Sequence, residues 1–380
     1  MKRILYLGMD VHNTNYTLCC LEPVFGMADD KIFGITQVAP DWKNIEKYIT
    51  AMKKKLGDNE IEFICGYEAG YLGYSLYHQL KDAGISCIIL APSTMMTTQG
   101  KRIKTDPRDA IMISRCLAYG TYSSVYIPTE IDESVKEYIR MRDDHKIALK
   151  KIKQQIIAFC SRHGFRYPGK TNWTAKHLKW LDDLQLGNDI LKLSLEEYLI
   201  TYRNLTDKIE TMDNRIQEFA DSEAYAEDVK KLICLLGVKT PTALSAIVET
   251  GDFSRFKKGN VYAAFLGLAP GEQSSGDRIN RGGISKTGNS HLRKLFIEAA
   301  QGICKGKVGQ KSKALKARQA GAPSQIIAYA DKANERMRRK YYRLISKGKK
   351  KNVAVTAVAR ELACFIWGMM TNNIGDVKPA

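Results

Sequence analysis

Apolar residues fall into short, nearly unbroken runs over the first third of the chain and recur at helical spacing over the rest. RILYLGMDV reads as a buried strand, with YTLCCLE, DKIFGITQV, IEFICGYE and SCIILAP as further strands. Between them, DWKNIEKYITAMKKKLG predicts a helix ending at Gly57, and GYLGYSLYHQLKDAG a helix with Leu72, Leu76 and Leu80 stacked one turn apart. KTDPRDA opens a helix that runs on through AIMISRCLAYG. The order is three strands, helix, strand, helix, strand, helix: an α/β domain over residues 1–125. MKRILYLGMDVH is positive and then apolar, like a signal peptide, but Asp10 ends the apolar stretch and no small-residue cleavage site follows. It is therefore read as the first strand.

The pattern changes over 126–227. Tyr198, Tyr202, Leu205, Ile209, Met212, Ile216 and Phe219 are spaced alternately four and three apart, a heptad seam. Ile131, Val135, Tyr138, Leu149, Ile152, Ile156 and Phe159 fit the same register, interrupted by Arg142 and His145. This predicts two long coiled-coil helices, as a hairpin or a dimer interface, with NWTAKHLKWLDDL as a short helix between them. Residues 228–372 read as a mainly α domain and 373–380 as a tail. Within that domain, KKLICLLGVKTPTALSAIVETG resembles a helix-hairpin-helix that lacks its second turn glycine. No apolar run is expected to reach the roughly 18 residues of a membrane span.

Charge divides the chain as the pattern does. Residues 1–125 hold 14 Lys+Arg against 13 Asp+Glu, a net of +1; the remainder holds 45 against 28, a net of +17. Residues 251–351 alone hold 24 against 6. So concentrated a positive charge points to a polyanion, most often nucleic acid. The nine cysteines form no C-x-x-C pair or zinc spacing, which predicts buried free thiols of a reducing cytoplasm.

The acids supply candidate chemistry. Asp10 ends the first strand and Glu68 the fourth, each in an apolar frame where an unpaired charge is costly. A three-strand meander would set strands one and four side by side. Pro107 is favoured at the first helical position, which would make Asp106 the cap and Asp109 the third helical residue, both on one face. The four carboxylates could hold a pair of Mg²⁺ ions, hard cations suited to phosphodiester chemistry. Read alone, KTDPRDA is equally a plain capped helix start.

The segment 263–300, AAFLGLAPGEQSSGDRINRGGISKTGNSHLRKLFIEAA, holds Ser274, Ser275 and Gly276 in a polar loop among Arg278, Arg281, Lys286, Arg293 and Lys294. Such a loop can grip phosphate, or a serine hydroxyl in it can attack a phosphodiester while the cations stabilise the transition state. His291 reads as a helix-surface residue. Tyr329, Tyr341 and Tyr342, beside Arg339, Lys340 and Arg343, can stack on bases or pack against the helix.

LGMDVH, GYEAG, KTDPRDA, FLGLAPGEQSSGDRINRGGISKTGNSHLRKL and YYRLISKGKKKNVAVTAVARELACFIWGMM together resemble the DEDD-type insertion-sequence transposases, the bridge-RNA-guided serine recombinases. The resemblance implies a ribonuclease-H-like N-terminal domain in which Asp10, Glu68, Asp106 and Asp109 bind Mg²⁺. It matches Ser275 to the nucleophile, with Ser274 one register away. It further implies a site shared between subunits of a dimer or tetramer, and a structured non-coding guide RNA that pairs with target and donor double-stranded DNA. Arg278, Arg281, Lys286, Arg293, Lys294, Arg339 and Lys340 become expected nucleic-acid contacts. The place of action would be the bacterial cytoplasm, at the nucleoid, with no membrane involved. Close alternatives are a structure-selective Mg²⁺-dependent nuclease or resolvase, a guide-free DNA invertase, and a non-enzymatic nucleic-acid-binding protein.

Overall fold

The computed structural model describes residues 3–24, 26, 29–57, 60–70, 72–95, 105–272 and 281–375. The chain forms two compact units, Met1–Ile127 and Pro128–Ala380.

The first unit is built on a five-stranded mixed sheet. Its strands are β1 (Ile4–Val11), β2 (Tyr16–Glu22), β3 (Lys31–Val38), β4 (Glu62–Glu68) and β5 (Cys87–Leu90), in spatial order β3-β2-β1-β4-β5. β1 runs antiparallel to β2 and parallel to β4, so the meander does place strands one and four side by side. The helices are α1 (Trp42–Leu56), α2 (Ser75–Asp82) and α3 (Asp106–Tyr119). α2 starts later than the leucine spacing suggested, yet Leu76 and Leu80 are buried as expected. Alternation along β1 assigns its two faces. Leu5, Leu7 and Met9, all fully buried, pack with Ile45, Ile49 and Met52 of α1 and with Leu76 and Leu80 of α2. Each such burial is worth about 1.5–3 kcal/mol.

Gly8, on the opposite face of β1, receives α3. A β-carbon on Gly8 would lie 2.3 Å from the Ala110 carbonyl oxygen and 2.4 Å from the Ser114 amide nitrogen. Only glycine lets the helix settle this closely. The Ser114 hydroxyl then joins the sheet: it accepts from the Gly8 N–H at 3.0 Å and lies 2.9 Å from the carbonyls of Cys19 and Ala110, either of which can take its hydrogen. Gly66 of β4 is similarly tight, with Leu117 in contact range.

The second unit opens with α4 (Glu130–Arg162) and α6 (Asp189–Ala220), with α5 (Ala175–Asp182) between them. Val135 and Ile139 share a core with Ile216 and Ala220, while Ile152, Ile156 and Phe159 pack with Leu195, Leu199 and Tyr202. The two long helices are thus an antiparallel pair within one chain, the hairpin alternative. Where the seam is interrupted, Arg142 is buried and its Nη2 lies 2.6 Å from Asp213 across the pair, with Asp143 beside it at 3.1 Å. Such a buried ionic layer fixes register more than it adds stability. Ile131 departs from the expected seam and is 66% exposed, because it sits in the first turn of α4, next to the end of its partner helix.

The chain continues through α7 (Ala226–Leu232), α8 (Thr240–Thr250), α9 (Gly259–Phe265), the hairpin β6 (Pro270–Glu272) and β7 (Arg281–Ile284), α10 (Ser290–Ile303), α11 (Lys313–Gln319), α12 (Ser324–Ser346) and α13 (Lys351–Met370). Contrary to the expectation from the apolar runs, α13 is long and apolar enough to cross a membrane, with a mean hydropathy of 1.5. It serves as the core helix of this unit, burying Val355, Val358, Leu362 and Ile366 against its neighbours α9, α10 and α12. The turn between α7 and α8 is a packing unit. The Leu236 N–H donates to the Asn334 side chain at 2.9 Å, and the carbonyls of Ile233 and Cys234 accept from Arg318 and Gln319. The nine cysteines are free, and seven of them are buried.

Candidate active site

Asp10 and Glu68 stand at the ends of β1 and β4, and Asp106 and Asp109 in the first turn of α3. Asp10 shares the α3-facing side of β1 with Gly8, and Glu68 shares the corresponding side of β4 with Gly66. The register that pairs Met9 with Tyr67 leaves Asp10 and Glu68 as the next residues on neighbouring strands. The helix start differs by one position from the sequence reading. Thr105, in extended conformation, is the cap, Asp106 is the first helical residue, and Pro107 the second. The Thr105 carbonyl already accepts from the Arg108 and Asp109 amides, while its side chain makes no capping bond. Asp106 is thereby released from capping, and its carboxylate turns toward Asp10.

Asp10, His12 and Asp106 each offer a ligand atom, and those atoms lie within 4.8 Å of one another. Neither Glu68 nor Asp109 belongs to this closest trio. Burial pushes the Asp10 carboxyl up; His12 pulls it down, and the Asp109 and Asp106 charges push it up again. Repulsion among three acids marks a place that favours a cation. His12 stands beside it, with Nε2 3.3 Å from the Asp10 carboxylate. Carboxylate oxygens are the donors a hard divalent ion wants, so the residues fit one, with an imidazole as an extra nitrogen donor. His12 was missed as a site residue from the sequence. The signal was its spacing: two residues along an extended chain return to the same face as Asp10.

In the second unit, β6 and β7 pair antiparallel, Pro270 opposite Ile284 and Glu272 opposite Arg281. They bracket the loop that carries Ser274, Ser275 and Arg278, which lie outside the described residues, as does the Arg281 side chain. The base of this hairpin is held firmly. The Arg293 guanidinium donates to the carbonyls of Leu266 (2.9 Å) and Thr287 (3.0 Å), so this predicted nucleic-acid contact is engaged within the fold. Gly288 takes φ 71°, and a β-carbon there would meet the Phe265 carbonyl oxygen at 1.9 Å. Lys286 and Lys294 are exposed.

Asn289 ties the hairpin exit to the helical core. Its Oδ1 caps α10 by accepting from the Leu292 N–H at 3.0 Å, and its Nδ2 donates to Glu249 at 2.9 Å. Glu249, on α8, also takes a bidentate pair from Arg140 of α4, at 2.7 and 2.9 Å. Burial raises the Glu249 carboxyl, but Arg140, Asn289 and His291 hold it below its ordinary value. His291 is half-buried, not a surface residue, and its Nε2 is buried without a hydrogen-bond partner among the described residues. Arg140, Glu249 and Asn289 were not foreseen as a unit, because 109 and 40 residues separate the paired positions.

On α12, Tyr329 is buried and donates to the Phe365 carbonyl, and Tyr341 packs against the core. Tyr342 is exposed but donates to the Gly306 carbonyl at 2.7 Å. Arg339 pairs with Glu335, and Lys340 lies 2.7 Å from Glu361.

Both regions fall within matches to known families. Residues 7–163 match a family model described as a transposase, of the DEDD type, and residues 229–315 match one described as the transposase IS116/IS110/IS902 family. The protein is a DNA transposase, an enzyme that cuts and rejoins DNA. It is 34% identical to the transposase for insertion sequence element IS1533 of Leptospira borgpetersenii, over 92% of this chain and 99% of that one. It is 35% identical to the putative transposase y4qE of Sinorhizobium fredii, over 84% of this chain and 78% of that one. The transposase for insertion sequence element IS1111A of Coxiella burnetii is 25% identical, over 83% of each chain. The chain belongs to the IS116/IS110/IS902 transposase family.

Proposed function

We propose that this transposase works through two chemical centres. Asp10, Glu68, Asp106 and Asp109 hold Mg²⁺, with His12 beside them, and Ser275 is the nucleophile. The observation that supports this most is the convergence of Asp10 and Asp106 from a strand end and a helix start. Bound metal supplies charge neutralisation at the scissile phosphate. The Ser275 hydroxyl attacks phosphorus, an Oγ–P bond forms, and the P–O bond to the departing strand breaks. That strand leaves as a hydroxyl, so the serine proton is balanced by the one it gains. A hydroxyl of the incoming strand reverses the step and frees the serine, which rejoins DNA without an external energy source.

Specificity is assigned to a structured guide RNA that pairs with target and donor DNA, while the basic unit grips the backbones. The working form is a homo-oligomer, and the place of action the bacterial cytoplasm.

Incubation with substrate DNA and Mg²⁺ should trap a covalent protein–DNA adduct. The adduct should vanish in Ser275→Ala and Asp106→Asn while DNA binding persists. Recombination by Ser275→Ala at the wild-type rate would reject the serine, and cleavage without any adduct would favour a water-using nuclease. Sequencing the RNA that copurifies should return one discrete structured species; random cellular RNA counts against guidance and for an invertase.

A further inference from the structure

A cleft of about 610 Å³ opens between α12 and α13, away from the hairpin residues. Lys332, Arg336, Arg339, Lys340 and Arg343 line it from α12, together with Glu335, and Glu361 enters from α13. An adjoining hollow of about 460 Å³ shares Arg336, Lys340 and Glu361 and adds Arg360. The helical spacing 332, 336, 339/340, 343 places the α12 cations on one face, one per turn, along about 16 Å at 1.5 Å per residue. The neighbouring face of the helix carries Ile326, Ala330, Ala333 and Met337 into the core, so the stripe is held on a rigid element.

Glu361 is only 7% exposed and faces two cations, Arg336 and Lys340. A carboxylate that deeply buried persists only with charge partners. Here it draws two long side chains inward and presents them in a fixed arrangement. Glu335 pairs with Arg339 one turn along the exposed side of the helix. Among the described residues no ion-pair partner is found for Lys332, Arg343 or Arg360. Six cations against two acids leave the cleft at net +4. Tyr329 and Tyr342 donate their hydroxyls to backbone carbonyls, and Phe365, in the lining of the adjoining hollow, lies 5.6 Å beneath the Arg336 guanidinium, so the aromatic rings beside the charges are already engaged.

We infer that this cleft binds the phosphodiester backbone of duplex DNA, sequence-independently, with Glu361 as the internal counter-ion that sets the cation spacing. The inference rests on the chain being a transposase. It does not depend on the serine or the metal, because nothing in it requires chemistry.

The test is binding of a fluorescein-labelled DNA duplex by the full chain, followed by anisotropy over a range of KCl with chelator present. Each cation that neutralises a phosphate contributes about 0.9 to the slope of log affinity against log salt. Lys332→Ala combined with Arg343→Ala should flatten the slope by about 2 and weaken binding roughly tenfold near 0.1 M salt. Both residues are exposed, so folding should be unaffected. Lys53→Ala combined with Lys54→Ala, on α1, removes the same charge elsewhere and should leave the slope unchanged. Glu361→Gln removes the counter-ion that holds Arg336 and Lys340 in place, so it should weaken binding even though it removes a negative charge; tighter binding would show that Glu361 only offsets charge and does not set the spacing. Equal slopes for the cleft variant and the α1 control would overturn the proposal. So would a matched RNA duplex that binds the wild type more tightly and is the ligand the cleft variant loses. Failure of strand cleavage in the adduct experiment, with these slopes as expected, would reject the chemistry and leave the cleft standing.

Discussion

The two units hold their functional groups by opposite means. In the first, near neutral in charge, backbone does the positioning: the end of β1 and the start of α3 bring Asp10 and Asp106 together, and Gly8 sets how closely the helix lies on the sheet. The acids are left repelling one another. In the second, strongly basic, side chains do the positioning: Arg293, Asn289, Glu249 and Arg140 pin the hairpin through hydrogen bonds and ion pairs. A site that awaits a cation gathers like charges, here Asp10 against Asp106 and Asp109, with His12 beside Asp10. A hairpin that must present a loop can have its base tied down first, with the His291 Nε2 left as a buried atom without a hydrogen-bond partner among the described residues. Like-charge repulsion therefore marks the acid cluster, and a network of hydrogen bonds and ion pairs the hairpin base.

The largest test of this contrast is removal of a strained charge. Asp10→Asn should lower strand cleavage by about 100-fold, the upper end of the range seen when groups that support a metal are removed. DNA binding in chelator should be unchanged. The same variant should raise the melting temperature of the metal-free protein, because it removes repulsion with Asp106 and Asp109. Added Mg²⁺ should raise the melting temperature of the wild type but not of the variant. A variant no more stable than the wild type without metal would mean that the acids are not strained.

Gly8→Ala tests the backbone half of the comparison. The new β-carbon would strike the Ala110 carbonyl, which is helix backbone and cannot swing away. The expected cost is about 3 kcal/mol. α3 must lift, carrying Asp106 away from Asp10, so the Mg²⁺-dependent rise in melting temperature should shrink as well. A variant that melts like the wild type would show that the helix does not depend on this contact.

Sequence and structure agree where short-range rules apply. Strand runs and the two long helices followed from periodicity, the presence of α3 from its proline and acids, and the order of strands one and four from the meander. The cap on α3 was read one residue late, because a proline tolerates either of the first two helical positions and the sequence does not say which backbone bends. His12 escaped because a histidine beside an aspartate is also an ordinary surface pair. Ionic contacts such as Arg140–Glu249 and Arg142–Asp213 escaped for a different reason. Their partners lie 109 and 71 residues apart, and charge alone does not choose among so many acids. Ser275 was named from its loop and its resemblance, and it lies outside the described residues.

The smallest expected effect concerns acid sensitivity, and it separates the units by sign. Burial pushes the His291 imidazole below its ordinary value, partly opposed by Glu249 and Asp143 and reinforced by Arg140 and Lys294. A histidine with a depressed native pKa binds its proton less readily folded than unfolded. Its contribution is therefore fully present above the unfolded value of about 6.5 and is lost as pH falls toward the native value. Glu249 is depressed too, but as a carboxyl it gives up stability only below about pH 4.5, its unfolded value. Asp10 is shifted the other way, so acidification relieves the first unit while it weakens the second. Melting curves of the full chain between pH 7.5 and 5.5 (roughly the span set by the unfolded histidine value) should lose stability in the helical unit first. His291→Asn should flatten that loss, since Asn keeps a polar side chain without a proton to gain. A pH dependence identical in the variant would place the sensitivity elsewhere and remove His291 from the hairpin's support.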